Sequence, residues 1–252
     1  MKLQYASDLH LEFSQNRDFL KANPLQPISD VLLLAGDIVP FAVMNKHADF
    51  FSYVSDNFQT TYWIPGNHEY YNFDAAQKCG VLNEKIMSNV FLVNNTSVIH
   101  DHVKLIFSTL WAKISLAYEW QIEQGVSDFH VIKYKGNRFT AMQFNQFHEE
   151  SMAFIKKELA GVKADKTVMV SHHVPTYLNY SEKYKGDALN GAFVVELYDF
   201  IEASLFDYWI YGHSHSNTAG FKIGETELLT NQLGYVQYNE HQLFDAKKIL
   251  TL

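Results

Sequence analysis

The stretch that decides the fold is residues 31–37, which read Val-Leu-Leu-Leu-Ala-Gly-Asp. A short apolar run that stops at glycine and aspartate is typical of a buried strand ending in a polar loop. The same pattern recurs along the chain with Gly, Asp, Asn or His as the stop. It predicts strands at Leu3–Ala6, Val31–Ala35, Thr61–Ile64, Val90–Val93, Val103–Leu110, Thr167–Val170, Tyr208–Tyr211 and Phe221–Thr230, and a last one near Ile249.

Segments with the spacing of amphipathic helices lie between these strands, at Val43–Phe58, Asp74–Met87, Ala141–Ala160 and Phe193–Leu205. The alternation predicts a layered α/β sandwich with helices covering a mostly buried sheet. The 252 residues show no repeat and no Pro/Ser-rich linker, so we predict a single domain, 1–252. Residues 113–140 are less regular and rich in aromatic and basic side chains. We expect a substrate-side insertion there, although a solvated excursion with packed-down aromatics fits equally well.

The composition, with 47% apolar and 15% aromatic residues, is that of a folded globular chain. A net charge of −8 argues against a large nucleic-acid surface, which needs many Lys and Arg near phosphates. The lone Cys79 excludes an intrachain disulfide, and the N-terminus lacks the apolar run of a secretory signal. No stretch is apolar enough for a membrane span. We therefore expect a cytoplasmic protein with no membrane partner, and the sequence indicates no protein partner.

Five polar clusters each follow a separate predicted strand: Ser7-Asp8-Leu9-His10, Gly36-Asp37, Pro65-Gly66-Asn67-His68-Glu69, Ser171-His172-His173 and Gly212-His213-Ser214-His215. In α/β sheets, sites assemble at the carboxyl ends of strands. Two Asp, one Asn and up to six His exceed the needs of one metal ion but suit two ions sharing a bridging carboxylate. This mixture of ligands favours Mn, Fe or Zn. Asp8 and His10 are expected to point the same way, because they are two apart in an extended chain.

The ordered clusters resemble the five-block signature of the calcineurin-like metallophosphoesterases, and they span residues 8 to 215. The resemblance implies a four-layer α/β/β/α sandwich of two mixed sheets flanked by helices. It implies that His68 contacts the scissile phosphate and protonates the leaving oxygen. It further implies two metal sites that share Asp37, with ligands Asp8, His10, Asp37 and His215 in one and Asp37, Asn67, His172 and His213 in the other.

The activity implied by the resemblance is hydrolysis of a phosphomonoester or phosphodiester through attack of a metal-bridging hydroxide at two divalent or trivalent ions. The adjacent histidines of the fourth cluster leave two assignments open. We favour His172 as the ligand and His173 as a residue that lines the site or is structural, with the reverse as the alternative. Glu69 is a candidate partner for a neighbouring histidine ring.

Two subgroups of the family are disfavoured. Asp37 is followed by Ile38 instead of the Arg of protein serine/threonine phosphatases, and His68 stands where lipid-A pathway hydrolases have Arg. A cyclic-nucleotide phosphodiesterase, a nuclease and a non-catalytic metal-binding scaffold remain as alternatives. The acidic charge argues against the nuclease, and the presence of His68 argues against the scaffold. The predicted substrate is a small phosphoester.

Some conspicuous residues have plainer interpretations. His100-Asp101-His102 lies between two strand-like runs and is predicted to be a hairpin turn. Cys79 lies in the predicted helix 74–87 without an adjacent histidine, which indicates an inert thiol. The pair Tyr70-Tyr71 is predicted to pack in the core or at the rim of the site.

Overall fold

Two mixed six-stranded sheets form the centre of the molecule, which is described over all of residues 1–252 by a computed structural model. The first sheet contains β1 (Lys2–Ala6), β2 (Val31–Ala35), β3 (Thr60–Ile64), β4 (Leu82–Met87), β5 (Val90–Asn94) and β14 (Ile249–Thr251). Its order is β14-β1-β2-β3-β5-β4. The four central strands run parallel, and both edge strands pair antiparallel.

The second sheet has the same plan. It contains β6 (Thr96–His100), β7 (Val103–Phe107), β10 (Lys166–Val170), β11 (Tyr208–Tyr211), β12 (Phe221–Ile223) and β13 (Thr226–Thr230), in the order β12-β13-β11-β10-β7-β6. Its four central strands are again parallel and its edges antiparallel. A separate ribbon is formed by β8 (Lys133–Tyr134) and β9 (Asn137–Arg138).

Alternate side chains of the strands enter different layers. Val31 and Leu33 of β2 pack with Leu105 and Val168 of the second sheet, in a cluster of 14 buried residues between the sheets. Leu32 and Leu34 instead belong to a cluster of 46 buried residues that includes the helix side chains. The helices are α1 (Ser14–Ala22), α2 (Ala48–Asn57), α3 (Glu119–Gly125), α4 (Asp128–Val131), α5 (Ala141–Leu159) and α6 (Tyr198–Glu202). The predicted four-layer α/β/β/α sandwich is confirmed.

Two predicted helices were wrong over most of their length. Residues 74–87 form a short 3-10 turn at Ala75–Gln77 and then strand β4, so that Cys79 lies in a loop. Pairing with β5 makes residues 82–87 a strand. The burial pattern of this segment, with only part of one side buried, does not by itself predict that structure. Of Phe193–Leu205, only α6 is helical: Val194 pairs with Val174, and the Glu196 carboxylate accepts from the Tyr177 backbone N–H at 3.1 Å.

Three smaller differences concern short elements. The sequence patterns missed α1 and β6, and the predicted strand Phe221–Thr230 is a hairpin of two strands, β12 and β13. The hairpin predicted at residues 100–102 is confirmed. Asp101 and His102 join β6 to β7 with φ of 45° and 70°, the left-handed values that a tight hairpin turn requires.

Residues 113–140, the predicted insertion, contain α3, α4 and the β8–β9 ribbon. Ile122 of α3 packs against Gly191, and Gly125 packs against Leu189, so this segment meets the loop that follows β10. None of the helices combines the length and the apolar character needed to cross a bilayer. The single-domain organisation stays a prediction.

Candidate metal centre

The seven predicted metal ligands meet at one edge of the sandwich. They follow the carboxyl ends of β1, β2 and β3 in the first sheet and of β10 and β11 in the second. All are buried except His215, which is partly exposed. This edge is where the carboxyl ends of parallel strands bring their loops together, which explains why residues more than 200 positions apart are neighbours.

Four side chains form the first group of possible ligands: Asp8, His10, Asp37 and His215. His10 Nε2 and His215 Nε2 lie 2.9 Å apart. Asp8 Oδ1 is 3.4 Å from His215 Nε2, and Asp37 Oδ2 is 3.8 Å from His10 Nε2. The four ligand atoms therefore surround one point.

The second group contains Asp37, His172 and His213, and the side chain of Asn67 joins it. His172 Nε2 lies 3.0 Å from His213 Nδ1 and 3.2 Å from Asn67 Oδ1. Asp37 Oδ2 is 3.4 Å from His172 Nε2. The same oxygen of Asp37 thus faces both groups, while its Oδ1 accepts from the His68 backbone N–H at 2.9 Å.

Two glutamates outside the predicted set orient the rings of the first group. Glu12 accepts from His10 Nδ1 at 3.1 Å, and Glu240 accepts from His215 Nδ1 at 2.8 Å. These partners place the ring protons on Nδ1, so both Nε2 lone pairs point inward. The two Nε2 atoms lie 2.9 Å apart, a distance that requires a shared proton or a metal ion between them.

The second group is oriented in the same way. His172 Nδ1 donates to the Ala35 carbonyl at 2.9 Å, which leaves Nε2 free to bind. Asn67 donates from Nδ2 to Asp128 at 2.8 Å, which turns its carbonyl oxygen toward His172. The inward atoms of His172 and Asn67 can therefore donate electron pairs to a metal ion.

The negative charges of the cluster also favour the binding of cations. Burial alone would lower the pKa of His172 and of His215, yet the neighbouring carboxylates raise them to about 9 and about 10. Positive charge is therefore favoured at this cluster, and two metal ions bound there would supply it. The donor set, two carboxylates, four imidazoles and one amide oxygen, fits two such ions.

The backbone at these ligands corrects one prediction. Asp8 and His10 are not in an extended chain: their φ angles are 57° and 47°, and Asp37, His213 and His215 are also left-handed, at 55°, 75° and 50°. L-residues seldom adopt this region, although Asp and His do so more readily than most. The side chains converge because the loops turn back at each strand end, and the period-two alternation of a strand plays no part.

His68 lies beside both groups and faces a cavity. Its Nδ1 is 2.9 Å from Glu12, its Nε2 is 3.4 Å from the Tyr235 hydroxyl, and its ring stacks on Tyr71 with centroids 4.0 Å apart. Burial would lower the pKa of His68, but Asp37 and the hydrogen bond to Glu12 raise it above its ordinary value. The side chain can therefore hold a proton on Nε2.

The remaining predicted site residues, His173 and Glu69, belong to neither group of ligand atoms. Neither ring nitrogen of the fully buried His173 has a protein partner. The ring packs against Trp111 and Phe144 on one hand and against the His213 ring, with centroids 4.3 Å apart, on the other. Glu69 contacts no histidine ring. It accepts from the backbone N–H groups of Asp37, Ile38, Val39 and Gly66 and from Trp63 Nε1, and so fixes two of the loops. This arrangement supports His172 as the ligand and gives Glu69 a positioning role.

Several site residues were missed from the sequence. Glu12 follows His10 by two positions and continues the Asp-x-His spacing, a signal that could have been used. Asp128, Tyr235 and Glu240 lie in segments without a motif, and only the fold brings them to the site. Of the predicted pair Tyr70-Tyr71, Tyr70 is buried in the core, whereas the Tyr71 hydroxyl donates to Asp128 at 2.9 Å.

A cavity of about 350 Å³ opens beside His68 and the ligands. Its other walls come from Gly125–Asp128, from residues 180–193 of the loop after β10, and from Tyr235 and Glu240. The predicted insertion therefore contributes to this cavity.

The fold and the site together define a protein of the dinuclear metallophosphoesterase class, and the sequence comparisons agree. The family model described as calcineurin-like phosphoesterase matches residues 1–217. The chain belongs to this family. An uncharacterised protein of Acanthamoeba polyphaga mimivirus is 30% identical to it, with 98% of each chain aligned.

Two solved structures share the fold. Phosphopantetheinyl hydrolase from Mycobacterium tuberculosis aligns with a TM-score of 0.72 and 15% identity, covering 99% of this chain and 95% of its own. A dimetal phosphatase from Danio rerio aligns with a TM-score of 0.52 and 12% identity, covering 92% of this chain and 87% of its own.

Proposed function

We propose that this chain is a hydrolase of small phosphoesters that binds two metal ions, Mn, Fe or Zn, in the cytoplasm. The observation that carries the proposal is the pair of facing donor groups that share Asp37 Oδ2, with His68 on the cavity side. Asp8, His10, Asp37 and His215 would hold one ion, and Asp37, Asn67, His172 and His213 the other. When bound, the ions would activate water and neutralise charge on the phosphoryl oxygens.

His68 would supply the proton that the departing alcohol needs. Glu12 holds Nδ1, so the second N–H of the protonated ring projects from Nε2 beside the Tyr235 hydroxyl. Stacking on Tyr71 fixes the plane of the ring. A general acid of this kind contributes roughly 10²–10⁴ in rate. Its contribution is largest when the leaving group is a poor one, such as an alkoxide.

The test is a panel of phosphomonoesters and phosphodiesters, including cyclic nucleotides and a phosphopantetheinyl ester, assayed with added Mn²⁺. We expect turnover by the wild type and a loss of roughly 10²–10⁴ in kcat for alkyl esters in His68→Ala. The matched control is His100→Asn, which changes a histidine at the opposite end of the strands. Absence of turnover for every ester by metal-loaded protein would overturn the proposal, and would favour the non-catalytic scaffold.

A further inference from the structure

The cavity beside the metal centre contains no lysine or arginine. Nineteen residues line it, and its charged side chains other than the histidines are carboxylates: Asp37 of the metal site, then Asp128, Asp187 and Glu240. Lys183 and Lys185 belong to the same loop but do not line the cavity. Lys183 lies over the Tyr184 ring, and Lys185 pairs with Glu182 at 3.2 Å. Apart from a protonated His68, no side chain is therefore available to bind phosphate oxygens as a fixed cation.

The carboxylates around the site already balance two divalent ions. Asp8 and Asp37 are candidate ligands. Glu12 and Glu240 lie behind the imidazole rings of His10 and His215 and accept hydrogen bonds from them. Their four negative charges equal the positive charge that two divalent cations would bring. A phosphomonoester dianion would thus bring two negative charges to a site whose only surplus positive charge is that of His68. A phosphodiester would bring one negative charge to the same site.

The outer part of the cavity is aromatic and apolar. Three of its aromatic rings already pack against histidines of the site: Tyr71 stacks on His68, Phe193 stacks on His213, and Tyr235 contacts His10 at a tilt. Tyr180 and Tyr184, with ring centroids 6.1 Å apart, stack on none of them. Leu189 and Val126 add apolar surface. These walls suit an uncharged substituent that packs on tyrosine.

We propose that this cavity selects phosphodiesters whose alcohol substituents carry no negative charge. Phosphomonoester dianions and esters with a second phosphate are disfavoured by Asp187 and by the absence of a basic side chain. Tyr180 and Tyr184 form the surface for the uncharged substituent. The inference rests on the proposed phosphoesterase function and narrows its substrate.

The test compares p-nitrophenyl esters of graded charge on the Mn²⁺-loaded protein. The series is p-nitrophenyl phosphate, p-nitrophenyl phenyl phosphate, and the p-nitrophenyl diesters of thymidine 5′-phosphate and thymidine 3′,5′-bisphosphate. We expect kcat/KM for the phenyl and thymidine diesters to exceed that for the monoester and the bisphosphate by about tenfold or more. A preference for the monoester would overturn this inference alone, whereas release of p-nitrophenol from none of them would overturn the proposed function.

A binding measurement separates recognition from ester reactivity. Phenylphosphonate, a dianion at pH 8.5, and its monomethyl ester, a monoanion, differ in charge but share the ring. We expect calorimetric titration to show tighter binding of the monomethyl ester, and tighter binding of the dianion would contradict the proposal.

Charge variants test the role of Asp187. Asp187→Asn keeps an oxygen that can accept from the Leu189 backbone N–H, now bonded at 2.8 Å, and removes the charge. We expect the preference for the thymidine diester over the bisphosphate to fall about threefold in this variant and further in Asp187→Lys. Asp165→Asn is the control, because Asp165 is exposed before β10, at the far end of the sheet. An unchanged preference in both Asp187 variants would remove Asp187 from the proposal.

Discussion

Glu12 contributes both to the proposed metal site and to the proposed proton transfer. One of its oxygens, Oε1, lies within hydrogen-bond distance of both His10 and His68, a metal-ligand candidate and the proposed proton donor. Burial would raise the pKa of Glu12, but the two histidines lower it to about 2. The side chain is therefore charged, and it orients both rings at once.

Glu12→Gln should lower kcat for alkyl phosphoesters by roughly 10–100-fold, because an amide orients both rings less strongly than a carboxylate does. Esters with an acidic phenol as leaving group should be less affected, since they need the proton less. Steady-state kinetics on the two kinds of ester measure the difference. Glu225→Gln, in the exposed turn between β12 and β13, is the control. Equal losses for both leaving groups would contradict an action through His68.

The adjacent histidines can be separated by metal content. His172→Ala removes a ligand atom that lies within 3.4 Å of Asp37 and Asn67, so we expect about one bound ion per chain in place of two. His173→Leu removes two ring nitrogens without protein partners and keeps a side chain that can pack on the His213 ring, so two ions should remain. Elemental analysis of the purified variants gives the stoichiometry. Loss of an ion in His173→Leu alone would reverse the assignment.

At the scale of elements, the loops after the strands bring the ligands together only because glycine, which has no side chain, allows these loops to come into contact. A Cβ on Gly66 would overlap Asp37 Oδ1 and lie 2.6 Å from His172 Nε2, and one on Gly36 would overlap His172 Nδ1. The loops after β2, β3 and β10 are thus in contact, and Glu69 accepts backbone hydrogen bonds from the first two. The turn residues matter as much as the ligands.

Gly66→Ala should therefore weaken metal binding without unfolding the chain. The added methyl group would displace the ligand side chains of Asp37 and His172 and would not disturb the apolar side chains of the core. We expect a loss of about tenfold or more in affinity for the ion at Asn67, His172 and His213. Titration of the metal-free variant with Mn²⁺ measures it. Gly161→Ala is the control, since its Cβ would meet no atom closer than 3.4 Å. Wild-type affinity in Gly66→Ala would show that the loops can shift apart at little cost.

At the scale of the whole molecule, the site joins the two sheets. Asp8, His10, Asp37 and Asn67 follow strands of the first sheet, and His172, His213 and His215 follow strands of the second. Between the sheets lies a layer of 14 buried residues. An ion in either group would thus link the two halves of the sandwich directly.

Removal of metal with a chelator should accordingly lower the thermal stability of the protein. A ligand at about 1,000 times its Kd adds about 4 kcal/mol, which corresponds to a shift in Tm on the order of 10 °C for a chain of this size. Differential scanning calorimetry with and without Mn²⁺ measures the shift. Asp37→Asn should abolish most of it, because Asp37 Oδ2 belongs to both groups. A Tm that does not respond to metal in the wild type would contradict the proposed sites.

The sequence by itself determined the architecture and most of the candidate ligands. Apolar runs ending at polar clusters are local features, so Val31–Ala35 and Tyr208–Tyr211 were predicted with the boundaries that the structure shows. The same five clusters carried the resemblance to the family. Segments with weaker local patterns failed, as residues 82–87 did, because pairing with a neighbouring strand decides them.

Only the tertiary structure decided how the ligands converge and what surrounds them. Asp128 and Glu240 have no motif, and they reach Asn67 and His215 from 61 and 25 positions away. His172 and His173 are the same residue type at adjacent positions, but His172 faces Asp37, whereas His173 packs against Trp111 and the His213 ring. The physical reason is that a strand-end pattern reflects the local burial of a few residues, whereas hydrogen bonds and charge depend on which distant loops meet.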